Sequence, residues 1–122
     1  MWWKSKSDPG DKGKAYEKLA ADFISRRGLD ILEHNFCCRF GEIDIIARDG
    51  EHIVFIEVKY RKSAEFGHSL EMVSRQKQKK LVAAAKYYLS RLSCTPYCRF
   101  DVIAIGGSDN QIDWITNAFI TE

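Results

Sequence analysis

No apolar run in this 122-residue chain approaches the roughly 20 residues that a helix needs to cross a bilayer. The opening MWWKSKSDPGDKGK has no apolar h-region and no small-residue cleavage site, so no secretory signal is expected and a cytoplasmic address is. Internal repeats and low-complexity tracts are missing too, and the length suits one domain. Zinc spacing is also absent: Cys37 and Cys38 are adjacent, and Cys94 and Cys98 stand in CTPYC. Reduced, partly buried thiols are therefore expected rather than a structural metal. His34, His52 and His68 fall in no ligand spacing and are assigned no catalytic role. Acids are missing from one long stretch. None occurs between Glu71 and Asp101, where Arg75, Lys77, Lys79, Lys80, Lys86, Arg91 and Arg99 all fall. The net charge of +2 is too mild to prove a polyanionic partner, but this segregation could place a basic face beside an acidic pocket. A solvated helix face would look equally basic.

What is present reads as an α/β domain. Residues 1–12 have little periodicity and are expected to form a basic, flexible arm before a domain over residues 13–122. From about Gly13, Ala15, Leu19, Phe23 and Ala20, Ile24 mark one apolar stripe of a helix, with Gly28 as its stop. Leu29–Phe40 reads as a strand with an irregularity at Asn35, followed by strands over Gly41–Arg48 and His52–Arg61. A polar loop covers residues 62–72. Ser74 can cap a second helix with the stripe Leu81, Ala85, Tyr88, Leu92, and Pro96 lies just past its end. Strands over Arg99–Ile105 and Gln111–Ile115 complete the order αβββαββ. A strand–helix–strand crossover between residues 53 and 105 implies a mixed sheet flanked by helices.

The segment GEIDIIARDGEHIVFIEVKYR, Gly41 to Arg61, mixes acids into apolar strands. With Asp49-Gly50 as a two-residue turn, Asp44 faces Phe55 and Glu42 faces Glu57. Ile43, Ile45 and Ala47 then share a face with Val54, Ile56 and Val58. The other face carries Glu42, Asp44, Glu57, Lys59 and Arg61. Asp44 and Glu57, as diagonal neighbours, can lean in to meet one small cation. The like-charge pair of Glu42 and Glu57 would be costly without one. An exposed strand face where Glu and Lys alternate with buried residues is the competing reading. Ile46, Ile53 and Phe55 on the acidic face argue that it is covered, and covered acids need a partner. Glu17, at the edge of the first helix's stripe, could reach inward if that helix packs over the acidic face; otherwise it is an ordinary surface acid.

An acid on a first helix, Asp in a strand and Glu-x-Lys on the next strand resemble the layout of the PD-(D/E)xK nuclease superfamily, whose fold is restriction-endonuclease-like. GKAYEKLAADFISRRG, GEIDIIARDG, VFIEVKYRKSAEFG, the K-x-x-K-L-V helix, RFDVIAI and DWITNAF together resemble the small bacterial YraN family, regarded as related to archaeal Holliday-junction resolvases. The likeness runs from about Gly13 to Phe119. It implies Asp44 and Glu57 as metal ligands, Lys59 as the active-site lysine and Glu17 as an auxiliary acid, with Glu42 beside the ligands. The superfamily's proline before the first acid is replaced here by Ile43.

On that resemblance the expected activity is Mg2+- or Mn2+-dependent phosphodiester hydrolysis of structured or branched DNA. Arg61, Lys62, Arg75, Lys77 and Lys80 would contact phosphates, and a homodimer would suit symmetric cutting of two strands. Two other classes stand beside it: a non-catalytic nucleic-acid-binding module, and an interaction protein recruiting a DNA-processing machine through Trp2, Trp3 and the basic arm.

Overall fold

The computed structural model describes residues 11–61, 73–94, 96–106 and 109–119. The order is α1 (Asp11–Arg26), β1 (Asp30–Cys38), β2 (Gly41–Asp49), β3 (His52–Arg61), α2 (Arg75–Ser90), β4 (Tyr97–Gly106) and β5 (Gln111–Ile115). Helix α1 thus starts at Asp11, two residues before the expected boundary; residues 1–10, with Trp2 and Trp3, and the expected loop over 62–72, with Lys62 and His68, lie outside the described residues.

The five strands form one sheet in chain order, β1-β2-β3-β4-β5. Three of the neighbouring pairs are antiparallel, and β3–β4 is parallel, bridged by the segment that contains α2. This is a mixed α/β sheet. Ala20, Ala21 and Ile24 of α1 pack with Ile45, Ala47, Val54, Ile56, Ile103 and Ile105 on one face. Leu81, Ala84 and Ala85 of α2 pack with Ile46, Ile53, Phe55, Phe100, Val102 and Ala104 on the other. Each strand's alternate residues thus feed different helices, which is why the central strands read as nearly continuous apolar runs.

The helix ends follow from local chemistry. Gly28, at φ +94°, closes α1: the Leu29 amide donates to the Ile24 carbonyl at 3.2 Å across a left-handed residue that glycine adopts without strain. Ser74 caps α2, its hydroxyl accepting from the Lys77 amide at 3.1 Å. Leu92, expected on the stripe of α2, falls two residues beyond Ser90, where the helix ends, and stays exposed. Among the described residues, no helix is long and apolar enough to cross a membrane. They contain no disulfide either; Cys38 is buried and Cys37 half-buried as expected, whereas Cys94 and Cys98 are exposed.

Candidate functional site

The hairpin between β2 and β3 turns on Gly50-Glu51 rather than Asp49-Gly50. Asp49 pairs with His52 and Ile45 with Ile56, two residues out from the register expected. Gly50 at φ +62° takes the first turn position, the one that a glycine-first two-residue turn requires. Asp49 is drawn into the strand, where its carboxylate meets Arg99 at 3.2 Å. A shift of two preserves which side each residue faces, but it changes who meets whom. The expected opposition of Glu42 and Glu57 is gone. Glu42 instead pairs with Cys37 of β1, whose thiol points at its carboxylate at 3.6 Å.

The ladder between β2 and β3 stops at Ile45↔Ile56. Beyond it, β2 stays with β1 as far as Cys38↔Gly41, and β3 stays with β4 as far as Arg61↔Gly106. The sheet therefore forks, and Asp44 and Glu57 are the first residues on its two prongs. Both are buried, at 1% and 2% exposure. Asp44 spans the fork: its Oδ2 accepts the Val58 amide at 2.9 Å, the place a strand carbonyl would otherwise hold. The alternation of β2 breaks here too. Ile43 packs with the α2 side, whereas Ile45 packs with the α1 side, so Ile43 does not share the face of Ile45 and Ala47 as expected.

Helix α2, not α1, covers the face of Glu57. Lys77 in its first turn brings Nζ to 3.6 Å from Glu57 Oε2, with the Lys77 side chain 28% exposed. A cation from the first turn of α2 thus stands at this carboxylate. Gly41, beside Lys80 of α2, is a glycine for its backbone rather than for space: at φ +150° it holds a conformation that side chains rarely adopt.

The other residues singled out from the sequence fall as follows. Glu17 is buried on α1, which packs on the opposite sheet face; it lines a groove of about 500 Å³ with Lys14, Lys18, Asp22, His34 and Asn35. Lys59 is half-buried on β3, two residues past Glu57 and level with Ala104 of β4. Arg61, at the tip of the same prong, lies against Gly106, and its buried Nε meets no acceptor among the described residues. Arg75 and Lys80 are exposed on α2. Tyr16 of α1 stacks on Tyr60 with ring centroids 4.6 Å apart. Burial, then the hydrogen bond to Tyr60, push the Tyr16 phenol above its ordinary value.

Among the described residues, no three His, Cys, Asp or Glu side chains come together as a metal site. The fork offers two carboxylates. An all-oxygen pair suits magnesium or manganese, which take one or two carboxylates and complete their shell with water and phosphate.

Sequence reasoning missed a fourth buried carboxylate, beside Asp44, Glu57 and Glu17. Asp101 accepts from Arg99 Nε at 3.1 Å, Trp114 Nε1 at 2.9 Å and the Asn117 amide at 2.9 Å. Its signal was an acid inside the apolar strand RFDVIAI, the same signal that Asp44 gave.

Comparison with known proteins places this arrangement in a family. The family described as "Uncharacterised protein family UPF0102" matches residues 16–105. A UPF0102 protein of Vibrio campbellii is 49% identical over 87% of this chain and 89% of its own length. A UPF0102 protein of Psychromonas ingrahamii is 44% identical over 88% of each. One from Nitrosomonas europaea is 42% identical over 93% of this chain and 97% of its own. The chain belongs to the UPF0102 family.

Proposed function

We propose that this UPF0102 protein is a metal-dependent phosphodiesterase acting on structured or branched DNA. The observation that carries the reading is the fork itself. Two carboxylates, Asp44 and Glu57, are buried where two strands part, and Lys59 and Arg61 follow on the same prong. Burying two acids at the same fork is costly, and a bound cation would offset that cost. The proposed ligands are Asp44 and Glu57. Held by these two carboxylates, Mg2+ or Mn2+ would supply positive charge for the transition state and would lower the pKa of a bound water. Asp44 is oriented by the Val58 amide, which fixes its carboxylate before any ligand arrives. Lys59 neutralises charge developing on the phosphate; an ammonium serving as base would need a strongly lowered pKa. The Arg61 Nε, which meets no acceptor among the described residues, is a donor suited to a phosphate oxygen. Arg75, Lys77 and Lys80 hold the backbone without reading sequence, as would Lys62, outside the described residues. A homodimer would match symmetric cutting of two strands.

A second reading, a nucleic-acid-binding module that does not cut, is favoured by the contact of Lys77 with Glu57, which gives that carboxylate a protein cation. Incubation with linear, single-stranded and four-way-junction DNA, with and without manganese, separates the two. Cutting that requires manganese and vanishes in Asp44→Asn and Lys59→Met supports the enzyme. Salt-dependent binding without cutting under any metal supports the module, and cutting that survives both substitutions sinks the site.

A further inference from the structure

A line of aromatic rings runs from the core on the α2 side to the surface. Phe100 stacks on Phe55 at 5.3 Å, and Phe55 meets Tyr88 edge-on at 6.1 Å. Tyr88 meets Phe36 edge-on at 5.2 Å, and Phe36 lies 6.4 Å from Tyr87. Tyr87 lies 6.0 Å from Phe40, in the turn between β1 and β2. The last two rings are in solvent: Phe40 is 39% and Tyr87 41% exposed. A guanidinium lies over one face of each, Arg39 at 4.9 Å from the Phe40 centroid and Arg91 at 6.0 Å from that of Tyr87.

Single exposed aromatics need no explanation, but a contiguous pair anchored on a rigid interior and bordered by arginines does. We propose that Phe40 and Tyr87, with Arg39 and Arg91, form a stacking platform for unpaired bases of a nucleic-acid strand. Rings of this kind stack on any base, and the arginines meet the phosphates on either side. Charge favours this occupant, since α2 carries four lysines and an arginine and no acid. Size disfavours a protein partner. Two aromatic side chains of about 150–250 Å² each, already more than half covered, fall well short of the ~800 Å² per partner of a stable interface.

The platform rests on the nucleic-acid part of the function proposed above and deepens it. Tyr87 and Lys77 are ten residues apart on one helix, about 15 Å, or some four stacked nucleotide steps. The substrate would therefore carry unpaired bases a few nucleotides from the phosphate at the fork.

The test uses the full chain in EDTA, with a labelled 20-nucleotide oligothymidine and a base-free abasic strand of equal length, read by anisotropy. Wild type is expected to favour the base-bearing strand about tenfold. Phe40→Leu and Tyr87→Leu, which keep apolar bulk but lose the ring, are expected to bring that preference below about twofold and leave abasic binding and its salt slope unchanged. Equal binding of both strands by wild type, or no binding of either, overturns the platform. So does a dimer that Tyr87→Leu dissociates while strand preference persists. Cutting without base preference removes the platform alone. Base preference without cutting under any metal keeps the platform and removes the nuclease.

Discussion

The backbone amide of Val58 donates to Oδ2 of Asp44 at 2.9 Å, across the point where β2 and β3 part. A side chain thus closes the last rung of a ladder whose backbone has already diverged. Asp44→Ala removes the acceptor, leaves a part-buried N–H unpaired and is expected to cost about 1–3 kcal/mol. Asp44→Asn keeps an oxygen in place and should unfold in urea close to wild type, but lose any stabilisation by manganese. Equal urea midpoints for the two variants would show that the bond does not hold the fork.

Lys77 is the protein's own counter-ion for Glu57. Lys77→Met should destabilise the metal-free protein by about 1–2 kcal/mol, less than for a fully buried pair because Lys77 is 28% exposed. The same change removes a charge that repels a divalent ion. Calorimetric titration should therefore find manganese bound more tightly to Lys77→Met than to wild type, with a larger rise in Tm on adding it. Weaker manganese binding would mean that Lys77 does not oppose the ion.

Alkaline pH should destabilise the fold through two phenols. Tyr16 is raised by burial and by its bond to Tyr60; Tyr88 is raised by burial and by Glu33, with Arg91 opposing. A raised phenol binds its proton more tightly when folded. Its contribution is complete below the ordinary value of about 10 and is lost as pH climbs through the folded value. Absorbance at 295 nm should show the native titration trailing that of the urea-unfolded chain, and Tyr16→Phe with Tyr88→Phe should narrow the gap.

The buried Asp101 ties the chain's closing turn to β4. Partial burial pulls the Arg99 guanidinium down, but Asp101 and then Asp49 more than offset this, and the net direction is up. Asp101→Ala leaves Arg99 with Asp49 as its remaining carboxylate, strands the Trp114 and Asn117 N–H donors at once, and is expected to cost about 3–5 kcal/mol. Near-UV circular dichroism from Trp114 should weaken in parallel; an unchanged spectrum would assign the ring's order to Phe23, which it meets edge-on at 6.3 Å.

Element order and the last strand, Gln111–Ile115, were legible because periodicity and turn residues are local signals. The register of the hairpin was not. Alternation has a period of two, so it distinguishes odd slips from even ones and cannot choose between registers two apart; the Asp49–Arg99 contact, fifty residues distant, makes that choice. The break at Ile43 was hidden because isoleucine suits either face. That α2 rather than α1 would cover Glu57 was hidden for a related reason: an apolar stripe says that a helix is buried, not on which side of a sheet. Phe40 and Tyr87 escaped notice because neither carries a local motif, and their adjacency exists only after β1, β2 and α2 have met.

The chain-order sheet also sets a schedule for assembly. β1, β2 and β3 are joined by tight turns and can pair on the microsecond timescale of hairpins, whereas β4 must wait for the segment containing α2 to be crossed. Asp44 and Glu57 both belong to the early meander, and Lys77 to the late crossover. The contact of Lys77 with Glu57 therefore forms only after the hairpin that carries both acids has paired. Adding divalent ions during refolding should accelerate the first phase in wild type and leave Asp44→Asn unaffected.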